Sequence, residues 1–156
     1  MLNNWLNVPL LPQHSPTDCL PACVEMVLTF WGKSVKRVWI EQILESTEFG
    51  TPGFKTLNLQ YHGYSVIYAP ATDERPLRQA LNANKPPIVL VMTDALPYWA
   101  EQTAHAVVVI GMSDTEILLN DPTFPTISQI VPYSAFMLAW SEFDYLYTII
   151  CPKELR

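Results

Sequence analysis

Charge is sparse in this chain. Only 15% of its 156 residues are Asp, Glu, Lys or Arg, and Lys plus Arg number 9 against 15 acids, for a net charge of −6. The basic residues form no cluster, so nucleic-acid binding and docking on an anionic membrane have no electrostatic footprint. Long apolar runs are missing too. The longest, "HAVVVIGM", is far short of the ~20 residues that cross a bilayer. The start, "MLNNWLNVPLLPQHS", lacks the basic and hydrophobic regions of a signal peptide. Cysteines number 3, an odd count that argues against a disulfide framework. A reduced, cytoplasmic protein is expected. At 49% apolar the sequence is too hydrophobic for disorder, and its length suits a single domain spanning 1–156.

Helical periodicity begins after Asp18. Leu20, Cys23, Val24, Val27, Leu28 and Trp31 recur at helical spacing, and Gly32 stands where the helix would stop. Asp18 or Thr17 is placed to cap its start, and Pro21 is tolerated in a first turn. Further helices are expected over 35–47, 54–63, 72–84 and, shorter, 133–140. "YSVIYA", "PPIVLVM", "AHAVVVIGM", "TEILLND", "TISQIVP" and "DYLYTIIC" read as strands. Helices early and strands late indicate an α+β domain with segregated layers. No repeat, linker or low-complexity tract interrupts it.

Cys19 then stands at the mouth of the first helix, where free N–H groups and the helix dipole favour thiolate over thiol. A cysteine on a helix is more often a small buried hydrophobe, and Cys23 and Cys151 fit that description. A zinc site is disfavoured, because no second Cys/His pair follows Cys19 and Cys23, and His14, His62 and His105 lack ligand spacing. A redox pair of Cys19 and Cys23 is disfavoured because the two are not spaced C-x-x-C. A nucleophile needs a base, an orienter for the base and donors for the oxyanion. His105 opens the most apolar strand and could be the base. Pairing of 105–111 with 115–120 through the "SDT" turn would bring Asp121 near it, accepting the Nδ1–H; Asn120 is a weaker substitute. Gln13 offers a neutral amide donor, and the N–H of Cys19 a second. Each residue alone has a bland use: a turn before Pro122 for Asp121, an exposed loop for Gln13.

Together, "QHSPTDCLPAC", "GTPGF", "AHAVVVIGM", "ILLNDP" and "YSAFMLAW" resemble the C39 family of papain-like cysteine peptidases, and especially its stand-alone C39-like members. The best-known members are peptidase domains of bacterial exporters that cut leader peptides after a double glycine. The resemblance implies a papain-like fold, N-terminal helices packed on a C-terminal antiparallel sheet. It implies Cys19 as nucleophile, His105 as base and acid, Asp121 as orienter and Gln13 as oxyanion donor, with a peptide or protein substrate and no metal or organic cofactor. The chain carries no transporter or ATPase part, so cleavage during export is not expected of it. One departure stands out: the family usually has glycine after the nucleophile, and this chain has Leu20. That motivates two alternatives, an accessory domain with little catalysis and, on the same site, an acyltransferase. The glycines of "GTPGF" would shape a groove or serve only a turn. Tyr98 and Trp99 belong to a loop that could touch substrate.

Overall fold

A computed structural model describes residues 5–154; residues 1–4, the start of the stretch read for a signal peptide, and residues 155–156 lie outside the described part. After an extended N-terminal segment come α1 (Cys19–Phe30) and α2 (Arg37–Ile43), then β1 (Tyr64–Pro70), α3 (Arg75–Asn82), β2 (Ile88–Met92), β3 (Ala104–Met112), β4 (Glu116–Asn120), β5 (Gln129–Pro132), α4 (Tyr133–Ser141) and β6 (Leu146–Pro152). The six strands form one sheet in the order β1-β6-β2-β3-β4-β5, every pair antiparallel.

The sheet is buried on both faces. Ala106, Val108 and Ile110 of β3 pack with Val24, Leu28 and Ile40 from α1 and α2, whereas Val107 and Val109 pack with Leu77, Phe136 and Trp140 from α3 and α4. A strand covered on both sides has no solvent face to mark with polar residues, which is why β3 reads as an unbroken apolar run. The N-terminal helices thus cover one face, while the later α3 and α4 cover the other.

Two expected elements differ. The segment 54–63 is not an α-helix but a 3-10 helix, Gly53–His62. Its buried residues are Gly53, Thr56 and Leu59, spaced by three, and this period suits three residues per turn. It ends at Gly63, whose φ of 92° a β-carbon would resist. The second helix is shorter than 35–47, because Leu44 closes it and Glu45 turns left-handed at φ 54°.

Candidate active site

Three elements deliver the side chains that the sequence singled out. Cys19 is the first residue of α1, half-buried and not in a disulfide. His105 is the second residue of β3 and is 4% exposed. Asp121 directly follows β4 and is fully buried. The β3–β4 register pairs Val108 with Asn120, which sets Asp121 across from the strand segment carrying His105. The result is a hydrogen bond of 2.7 Å between His105 Nε2 and Asp121 Oδ1.

That bond corrects the expected ring nitrogen. Asp121 takes Nε2, not Nδ1, so Nδ1 is the ring nitrogen not engaged by the carboxylate, and the Cys19 side chain is near enough to raise the imidazole pKa. The physical reason is direction: His105 enters from a strand end, with Asp121 on the neighbouring strand and Cys19 across on α1.

Burial works against charge on His105, yet its pKa is raised to about 9. The hydrogen bond to Asp121, the neighbouring Cys19 side chain and the Asp121 charge together outweigh desolvation. Asp121 shows the opposite balance. Burial pushes its carboxyl up, but the His105 bond and charge, followed by the bonds from Trp99 and Tyr98, hold it below its ordinary value.

The carboxylate of Asp121 is saturated. Oδ1 also accepts from the backbone N–H of Thr123 at 2.9 Å, and Oδ2 accepts from Tyr98 Oη at 2.7 Å and Trp99 Nε1 at 2.9 Å. The Trp99 ring further packs edge-on against His105 at 4.9 Å. Tyr98 and Trp99 therefore hold Asp121 and cover the imidazole, a role that sequence reading missed when it aimed them at substrate. No spacing signal links 98–99 to residue 121; only the fold joins them. Replacing Trp99 with Phe keeps the ring and removes one donor to a buried carboxylate. Chemical denaturation should show a loss of about 1.5–3 kcal/mol, with the Asp121 pKa moving up.

Gln13 lies beside this pair. Its backbone N–H donates to Pro122 O at 3.0 Å, its Oε1 accepts from the Thr123 hydroxyl at 3.0 Å, and its Nε2 donates to Ser15 O at 2.9 Å. The Ser15 carbonyl, an acceptor only, fixes which end of the amide is the NH2, and a second N–H of Nε2 stays available. Asn120 is not part of the group. It is fully buried, donating to Val8 O and accepting from Ser128, which is structural work elsewhere. The expected side-chain cap at α1 is absent: Asp18 precedes the helix, but its carboxylate accepts from Arg37 and from His14 N–H instead.

A groove of about 380 Å³ opens over Cys19 and His105. The Phe49–Gly53 turn, Leu90, Thr103–Ala106 and Phe143 also line it. Glycine is required in that turn. Gly50 has φ 115°, and a β-carbon on Gly53 would sit 3.1 Å from both Leu90 and Tyr68. Leu20 is 2% exposed and packs into the α1 core, so its side chain forms floor rather than obstruction. Two larger hollows, of about 880 and 1000 Å³, contain neither Cys19 nor His105. Among the described residues, no group of three or more His, Cys, Asp or Glu side chains is arranged to hold a metal ion, and no helix is long and apolar enough to cross a membrane.

The sequence model of the Peptidase_C39 like family matches residues 5–148. The chain belongs to this C39-like peptidase family. Solved C39 structures share its papain-like fold over nearly the full length. A Bacillus anthracis protein described as a C39-like peptidase superposes with a TM-score of 0.76 at 14% identity, covering 99% of this chain and 100% of that one. The peptidase domain of Streptococcus ComA, a bi-functional ABC transporter of a quorum-sensing pathway, gives 0.76 at 19% identity, covering 94% and 100%. A double glycine motif protease from an AMS/PCAT transporter, solved with its leader peptide, gives 0.75 at 17% identity, covering 98% and 99%. No curated protein sequence matches the chain. At these identities the structural likeness concerns the C39 fold, and the chemistry has to be argued from this chain's own residues.

Proposed function

We propose that this C39-like chain is a cysteine peptidase, a thiol hydrolase of a peptide or isopeptide bond. The observation that carries the reading is an imidazole bonded to the buried Asp121 carboxylate and sharing one groove with Cys19. His105 takes the Cys19 proton, giving the thiolate and imidazolium from which the reaction starts.

The steps follow from those positions. The Cys19 thiolate attacks the carbonyl carbon, and the carbonyl π pair moves to oxygen. Gln13 Nε2–H and the Cys19 N–H, at the helix mouth, donate to that oxyanion. His105 passes its proton to the leaving amine, the C–N bond breaks, and an acyl-thioester remains. Water then gives a proton to His105 and its hydroxide attacks the thioester; the acid leaves and the thiolate–imidazolium pair is restored. Asp121 stays ionised, fixing the ring and stabilising its charge. A groove walled by a glycine-bearing turn suits an extended chain approaching Cys19. The leader peptide bound by the AMS/PCAT protease supports a peptide as the substrate class here.

The test requires no knowledge of the natural substrate. p-Nitrophenyl acetate should acetylate Cys19, as seen by a mass increase located at that residue, with a burst of p-nitrophenol. Gln13→Ala should slow acetylation by about 10²-fold. No acetylation of Cys19, or a Gln13→Ala rate equal to that of the natural chain, contradicts the proposed mechanism. Adding a labelled amine then reports whether water or the amine takes the acyl group.

A further inference from the structure

Arg37 lies on the stripe of α2 that faces the core, in step with Ile40 and Leu44, and is only 7% exposed. A buried guanidinium needs acceptors for its donors. Arg37 finds three, on two different stretches of chain. Nε donates to Glu25 Oε1 at 2.7 Å, Nη1 to Asp18 Oδ2 at 2.7 Å, and Nη2 to the backbone carbonyl of Pro12 at 2.8 Å.

Two of these acceptors sit at telling places. Pro12 immediately precedes Gln13, and Asp18 immediately precedes Cys19. Between them the chain makes a tight loop, tied across by His14 N–H to Asp18 Oδ2 at 3.1 Å and by Asp18 N–H to Ser15 O at 3.4 Å. Glu25 anchors the guanidinium to the middle of α1, so the plane of the fork is fixed relative to the helix carrying Cys19.

We propose that Arg37 is a positioning residue for the oxyanion hole, clamping both ends of the 12–18 loop so that the Gln13 amide and the Cys19 N–H converge on one oxygen. This rests on the peptidase reading above. The planar fork suits the task, because one group must hold three acceptors in fixed directions. A lysine ammonium can keep the charge against Asp18 but cannot reproduce that spread. A misplacement of about 1 Å at the hole is enough to cost on the order of 10²-fold in rate. The imidazole and its Asp121 partner lie on β3 and the end of β4 and make no bond to Arg37, so thiolate formation should depend on Arg37 far less than the hole does.

The experiment uses the full chain with two probes of Cys19. Acetylation by p-nitrophenyl acetate passes through an oxyanion; alkylation by iodoacetamide does not. Arg37→Lys should slow acetylation by about 30-fold or more while alkylation at pH 7 stays within about threefold. In a Gln13→Ala background the same substitution should cost less than about threefold, because the donor it positions is already gone. If Arg37→Lys does not fold, Arg37→Met combined with Asp18→Asn removes the buried pair as a unit and is read in the same way. Equal losses in acetylation and alkylation, or a full additional loss in the Gln13→Ala background, would overturn the positioning role alone. Failure of the natural chain to be acetylated at Cys19 would overturn this role together with the peptidase reading.

Discussion

Replacing His105 with alanine is expected to lower the rate of Cys19 acetylation by at least about 10³-fold. The substitution removes the proton acceptor, the proton donor for the leaving group and the positive partner of the thiolate in one change. Folding should survive it, because Asp121 keeps Thr123 N–H, Tyr98 Oη and Trp99 Nε1 as donors. His105→Gln offers a gentler control that fills more of the space and can still hydrogen-bond. A melting curve read beside the kinetics separates the two effects. The expected outcome is a folded chain with a silent Cys19. A folded His105→Ala chain that acetylates at the natural rate would mean that another group activates the sulfur.

Asp121→Ala is expected to act mainly on stability. It strands His105 at 4% exposure without its partner and leaves the donors of Tyr98, Trp99 and Thr123 unmatched in the interior. Breaking a buried ionic pair costs about 3–5 kcal/mol. For a chain of this size that amounts to a fall of roughly 6–20 °C in melting temperature. Asp121→Asn should lose much less, since its carbonyl can still accept from Nε2, although Trp99 Nε1 then competes with an amide NH2. The acid limb supplies a second reading. A carboxyl held below its ordinary value contributes stability that is present above about pH 4 and is lost as pH falls through its folded pKa. Asp121→Asn should therefore flatten the acid side of the stability curve. An Asp121→Ala chain that melts with the natural one would contradict the saturated-carboxylate geometry.

How much of this could be read in the residues varied with the range of the interaction. β3 matches its sequence signal end to end, because "AHAVVVIGM" is bounded by polar residues and buried on both faces. The first helix was legible for the same local reason, with Gly32 closing the pattern. The antiparallel β3–β4 pairing followed from the short "SDT" turn, and it brings Asp121 to His105. Long-range partners left no such trace. Nothing around residues 98–99 announces a bond to Asp121, and the ring nitrogen facing it depends on how three elements meet. Asp18 looked like a helix cap because its position is right; a buried guanidinium 19 residues away claims its carboxylate instead. Arg37 carried one readable hint, a cation in register with Ile40 and Leu44 on an apolar stripe. The Gly53–His62 stretch misled although its buried residues, Gly53, Thr56 and Leu59, recur at every third position, the period of a 3-10 helix.

The proposed chemistry depends on His105 interacting with both Asp121 and the Cys19 sulfur, and an NMR titration of the imidazole tests this directly. The chain has only 3 histidines, so assignment is tractable. His105 should stay protonated until its pKa of about 9. In Cys19→Ala the midpoint should fall, because the neighbouring sulfur raises it and burial opposes that. A midpoint near the ordinary value of about 6.5, unmoved by Cys19→Ala, would show that the two groups do not interact and would contradict the account.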